Sequence, residues 1–243
     1  MPCKKIRINN ILKKIQSAKK PVEDTVEELS LFELLNLQTS LEEGKKQYND
    51  EAVLSAMHND PEAITKKYDF QEFKQSYPII PALCLGASYE VVDMMINTFP
   101  EAVQGEGDIL HTVCSGDYDV NAEALGRLIE CCPDAVQKQN CKGNTALHIA
   151  CESGAAFGVV KVLITKHTKA LVMKNNRAET PLHLACIRDA PLNVIQLLLS
   201  KSPSSLWIQN CNGRTPLMCA EHWNASEDVV MLLKKWSRPS AKN

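Results

Sequence analysis

The sequence predicts an all-α solenoid, a stack of helix-turn-helix units, and three observations predict it. The octets "NTALHIAC", "ETPLHLAC" and "RTPLMCAE" begin at Asn144, Glu179 and Arg214, 35 residues apart each time. A second word runs in phase with them: Pro133-Asp134-Ala135-Val136 and Pro203-Ser204-Ser205-Leu206, with Pro100-Glu101-Ala102-Val103 and Pro61-Glu62-Ala63-Ile64 upstream. Thr168 holds the equivalent place, so the steps are 39, 33, 35 and 35 residues. Third, Val159, Val160, Leu163 and Ile164 match Val194, Ile195, Leu198 and Leu199, and match Val229, Val230 and Leu233 again. Apolar residues at i, i+1, i+4 and i+5 mark one buried face of an amphipathic helix. Each unit therefore reads as turn, short helix, loop, second helix, loop.

In chain order, residues 1–22 carry seven basic groups (Lys4, Lys5, Arg7, Lys13, Lys14, Lys19, Lys20) and no acid. Ile8, Ile11, Leu12 and Ile15 fall near one helical side of this arm. Residues 23–51 reverse the charge, with nine acids against two lysines. Within them a Ser30…Glu33 capping-box pattern introduces a helix over Leu31–Leu41. Glu51–Asn59 reads as a second helix. "IPALCLGAS" (80–88) keeps Pro81, Leu83 and a small Gly86, followed by a helix around Glu90–Thr98. "DILHTVCSG" (108–116) keeps Leu110 and His111, with Asp108 as the expected cap and Ala122–Cys132 as the second helix.

The octets explain the three downstream first helices. Thr145, Thr180 and Thr215 stand where a hydroxyl can cap free N–H groups. Pro181 and Pro216 follow at a position where a missing N–H costs nothing. Leu147, Leu182 and Leu217 are core anchors, and Ala150, Ala185 and Ala220 allow close packing. From three residues after the Thr, His148 and His183 can tie the helix start to a neighbouring turn. Gly143 and Gly213 precede the Thr by two residues and permit a tight turn. At the C-terminus Met218 replaces His and Lys234 replaces the apolar residue found at Ile164 and Leu199, as a terminal cap with no neighbour requires.

On these residues, "GNTALHIAC", "AETPLHLAC" and "GRTPLMCAE" with second helices "VVKVLI", "VIQLLL" and "VVMLLK", the chain resembles the ankyrin-repeat proteins. The match is strong over about 137–236; three repeats are clear, two upstream are degenerate and one further unit lies before them, five to six in all. The usual repeat is about 33 residues; here the loop after the second helix is longer. The organisation expected is a basic arm at 1–22, a helical region at 23–64 holding a degenerate repeat, and a repeat stack with its C-terminal cap at 65–243.

Composition narrows the function. The 243 residues are 44% hydrophobic and 23% charged, with a net charge of −2, and no apolar run is long enough to span a bilayer. The first twenty residues lack a secretory signal, so an intracellular location is expected, cytoplasmic or nuclear, with organelle targeting by the N-terminus left open. Of ten cysteines, Cys151 and Cys186 recur in phase, as do Cys141 and Cys211 two periods apart, which reads as small fillers and not as disulfides. His111, Cys114, Cys131 and Cys132 fit no common zinc spacing. No HExxH pair, GxSxG elbow or glycine-rich phosphate loop occurs. The expectation is a non-catalytic chain without cofactor, metal or small-molecule substrate.

Resemblance to the family implies a scaffold or adaptor, also as a subunit of a larger complex, binding protein partners through a concave face of turn tips and first helices. The free positions there are Lys142, Asn144, Glu152, Asn176, Arg177, Glu179, Arg188, Asn212, Arg214 and Trp223, with Ser153, Ile187 and His222 beside them. Arg and Trp are favoured anchors at interfaces. Two alternatives stand beside this one. The basic arm could take an anionic partner, making the chain a nucleic-acid- or membrane-associated factor, or the stack could be the regulatory subunit of an enzyme.

Overall fold

The computed structural model describes residues 29–39, 49–104, 108–116 and 118–238; the basic arm lies outside them. These residues are helical, and the only β-type pairing among them is the single bridge Tyr68–Ser76. The helices are α1 (Leu31–Thr39), α2 (Asp50–Asn59), α3 (Ile79–Cys84), α4 (Tyr89–Thr98), α5 (Glu101–Gln104), α6 (Ile109–Val113), α7 (Ala122–Cys131), α8 (Ala146–Ser153), α9 (Phe157–Lys166), α10 (Pro181–Ile187), α11 (Leu192–Lys201), α12 (Pro216–His222) and α13 (Glu227–Ser237). The fold is an α-solenoid of stacked helix pairs. First helices α8, α10 and α12 pack side by side, and second helices α7, α9, α11 and α13 form a parallel row behind them.

The core is continuous. Leu125, Leu128, Val160, Leu163, Ile195, Leu198 and Leu233 are all buried to 1% exposure or less. They are the one-sided apolar positions of the second helices, and burying each contributes about 1.5–3 kcal/mol against the ordering entropy of its unit. Cys151 and Cys186 are buried at equivalent places in α8 and α10 and are small fillers there, whereas the other phased pair, Cys141 and Cys211, is exposed on the turns and fills nothing.

The long loop has a definite shape. Pro61–Thr65, Pro133–Gln137, Thr168–Val172 and Pro203–Trp207 are each one turn of 3₁₀ helix. Each turn buries two adjacent residues: Ala63 and Ile64, Ala135 and Val136, Ala170 and Leu171, Ser205 and Leu206. The extra residues of the 35-residue unit thus form an additional apolar plug beneath the second helix. In the fourth turn Ser205 replaces Ala and satisfies its hydroxyl by donating to Ser202 O at 2.6 Å.

Upstream, Ser30 and Glu33 form the expected box: Ser30 N–H donates to Glu33 Oε2 at 2.8 Å and Glu33 N–H to Ser30 Oγ at 3.3 Å. The Asp108 cap is not formed. Its backbone (φ −113, ψ 9) is not the extended one adopted at Thr145 and Thr215, so its carboxylate makes no bond to the start of α6 and lies 3.7 Å from His111 Nδ1 instead. The C-terminal substitutions fall on open surface: Met218 is 50% exposed, and Lys234 pairs with Glu221 at 2.9 Å.

Candidate protein-binding surface

Three turns, 140–143, 175–178 and 210–213, project ahead of α8, α10 and α12 as fingers. Each is closed by an asparagine. Asn140 Oδ1 accepts from Lys142 N–H and Asn144 N–H, Asn175 Oδ1 from Arg177 and Glu179, and Asn210 Oδ1 from Asn212 and Arg214, all at 2.9–3.0 Å. One amide side chain therefore satisfies two backbone donors that the tight turn would leave unpaired. These asparagines went unread in the sequence, although they recur with the same 35-residue phase as the threonines.

Neighbouring fingers are bonded tip to tip. Asn176 N–H donates to Lys142 O at 3.0 Å, and Cys211 N–H to Arg177 O at 2.9 Å. Asn176 Nδ2 adds a bond to Cys141 O at 2.9 Å. The fingers thus form one edge with fixed spacing instead of three independent loops.

Histidines link the same fingers to the helices. His111 Nε2 donates to Asn144 O at 2.8 Å, His148 Nε2 to Glu179 O at 3.1 Å, and His183 Nε2 to Arg214 O at 3.1 Å. Each bond reaches the finger of the next repeat. At the other nitrogen, Nδ1 of His148 accepts from Thr145 N–H at 3.2 Å and Nδ1 of His183 from Thr180 N–H at 3.1 Å. A ring that donates at Nε2 and accepts at Nδ1 is neutral. Burial pushes His148 down to about 4 and lowers His183 as well.

This frame divides the ten sequence-derived positions. Lys142, Asn176, Arg177 and Asn212 are exposed on the fingers, with Arg214 half-buried beside them. Arg188 and Trp223 are exposed at the ends of the first helices; Trp223 is 59% exposed and meets His222 edge-on at 5.6 Å. Glu152, half-buried, pairs with Arg188 of the next repeat at 3.2 Å. Asn144 and Glu179 leave the exposed set: they are 3% and 7% exposed. Their side chains turn into the stack, where Asn175 Nδ2 donates to Asn144 Oδ1 at 2.9 Å and to Glu179 Oε2 at 3.2 Å.

The cysteine and histidine side chains that invited a metal reading have other engagements. His111 holds Asn144, and Cys132 Sγ lies 3.1 Å from Leu128 O. Cys131 lies against Arg127, and Cys114 is buried with its thiol pushed up to about 12 by burial. Among the described residues no group of His, Cys, Asp and Glu is arranged to hold a metal ion, and no helix is long and apolar enough to cross a membrane.

Comparison with known proteins agrees with the fold. No curated protein matches the chain. The family model for ankyrin repeats (3 copies) matches residues 154–243, which hold the second and third octets with Thr180, Thr215 and the tie of His183. Such repeats are in general protein–protein interaction modules and are typically not catalytic. Residues 154–243 carry ankyrin repeats, and the helical stack of the described residues is consistent with an ankyrin-repeat solenoid.

Proposed function

We propose that this chain is a non-catalytic adaptor, working inside the cell as a subunit of a larger assembly and binding a protein partner along the fingers and the exposed ends of the first helices. The observation that carries this reading is the tip-to-tip bonding of the fingers. It holds Lys142, Asn176, Arg177 and Asn212 on one preorganised edge, and a surface ordered before binding loses little entropy on association. Arg188 and Trp223 extend that surface with side chains of the kind that dominate interface energetics. On this reading the domain plan is a basic arm at 1–22, an N-terminal helical region at 23–64 and the repeat stack at 65–243.

The test is the triple variant Arg177→Glu, Arg188→Glu, Arg214→Glu. Affinity purification with mass spectrometry should show its specific partners reduced about tenfold or more against the wild type. Helicity and melting should stay within about 1 kcal/mol of wild type, because only the exposed Glu152–Arg188 pair is broken. An unchanged partner set would remove this face from consideration.

A further inference from the structure

The three finger segments, 138–144, 173–179 and 208–214, hold five cations: Lys138, Lys142, Lys174, Arg177 and Arg214. They hold one acid, Glu179, which is buried and bonded to Asn175. The exposed charge of the edge is therefore of one sign. The ion pairs among the described residues all lie elsewhere: Arg127–Asp93, Lys166–Glu130, Arg188–Glu152 and Lys234–Glu221, as does the approach of Asp108 to His111. None of the five finger cations has a carboxylate of the described residues within 4.0 Å. In a chain whose net charge is −2, this row is a local departure from the balance of the rest.

Its pitch is set by the stack. Lys142 and Arg177 occupy equivalent positions in successive fingers, joined through Asn176 N–H to Lys142 O, and the next finger adds Arg214. Adjacent packed helices stand about 8–10 Å apart, so cations recur along the edge at about that interval. A polypeptide in the polyproline-II conformation advances about 3.1 Å per residue with about three residues per turn, so every third side chain points the same way and about three residues match one repeat. We infer that the finger edge takes an extended acidic polypeptide segment bearing a carboxylate at about every third residue, each carboxylate facing the cations of one repeat. This rests on the reading of the face given above and names the partner chemistry for it.

A nucleic-acid strand suits the same charge less well. The finger segments contain no aromatic residue, and single strands are held by aromatic stacking as well as by charge.

The experiment uses the full chain and four fluorescein-labelled probes at low ionic strength, where exposed charges are least screened. These are a short peptide with Asp at every third position between Ser and Thr, its isomer with the Asp residues in one block, the same peptide with Asn for Asp, and oligothymidylate. Anisotropy titration should rank the spaced peptide about tenfold tighter than the block isomer, with the Asn peptide not retained. The double variant Lys142→Ser, Arg177→Ser should lose about tenfold for the spaced peptide. The fold survives this change because both residues contribute only backbone bonds to the finger, and unchanged melting verifies it. Lys161→Ser, exposed on α9, is the control expected to leave binding unaltered. Equal binding of the two isomers, no binding of either, or oligothymidylate binding as tightly and lost in the same variant would each overturn the inference. If the triple Glu variant still sheds its captured partners in that case, the interaction face stands and only its acidic, third-residue partner is wrong.

Discussion

At position 178 a single methyl group decides the strain in a finger. Gly143 and Gly213 take φ +75 and +70 at the turn, and Ala178 is held at φ 55 in the equivalent place. A left-handed conformation costs a residue with Cβ about 1–2 kcal/mol, while glycine adds about 0.5–1 kcal/mol of unfolded-state entropy. Ala178→Gly is therefore expected to stabilise the protein by about 0.5–1 kcal/mol, read in denaturant melts with an unchanged slope. The reverse changes are not equivalent. A Cβ on Gly143 would stand 2.5 Å from Asn176 Oδ1 and 2.7 Å from Asn176 N, whereas one on Gly213 meets nothing within 4 Å. Gly213→Ala should cost about 1 kcal/mol, from strain alone, and Gly143→Ala clearly more, because the next finger must shift. Equal costs at the two positions would show that finger-to-finger contact is absent in solution.

The finger is the element in which most of the specificity of this fold is concentrated, and Asn175 is its centre. That side chain makes four bonds: it accepts from Arg177 and Glu179 N–H, and it donates to Asn144 and Glu179 side chains. Asn175→Ala removes all four at once and leaves buried Asn144 and Glu179 groups unsatisfied, an expected loss of about 2–3 kcal/mol. Asn175→Asp keeps the acceptor but sets a second carboxylate against buried Glu179, so at neutral pH it should melt no higher than the Ala variant. The octets were legible because helix capping and close packing use residue types whose chemistry is local: Thr145 is a cap wherever it stands at an N-terminus. The finger asparagines were less legible because Asn serves equally in any turn, and only their phase distinguishes them. Asn144 and Glu179 were misplaced for a related reason. They vary between copies, as partner-binding positions do, yet the side chain of each is consumed by Asn175, which stands in the next finger from Asn144 and in the same finger as Glu179, contacts with no sequence period of their own. The Asp108 cap failed because a capping residue type is not sufficient without an extended backbone at the cap.

Over the whole molecule the same parts act in series. In a repeat stack each unit contacts its neighbours, so stability resides largely in the junctions, and His148 and His183 tie two successive junctions through carbonyls of the next finger. Both ties need a neutral ring, because Nδ1 is occupied as an acceptor. The unfolded chain takes up a proton near the ordinary histidine value of about 6.5, while folded His148 resists until about 4 and folded His183 is shifted the same way. The unfolded state thus binds more protons in this interval, and stability must fall as pH falls through it. The contribution is complete above about pH 6.5 and is lost progressively toward about pH 4. Between pH 7.5 and 5 the loss from His148 alone is on the order of 2 kcal/mol, and His183 adds to it. The carboxylates held low, Glu33 by Ser30 and Glu130 by Lys166, are lowered from 4.5 and act only below this window. Denaturant midpoints measured at pH 7.5, 6 and 5 should therefore decline for the wild type. For His148→Gln with His183→Gln, less stable at every pH, the decline should be much flatter. A midpoint that holds steady from pH 7.5 to 5 in the wild type would mean that the two junctions are not tied by neutral histidines, and that the stack draws its order from apolar packing alone.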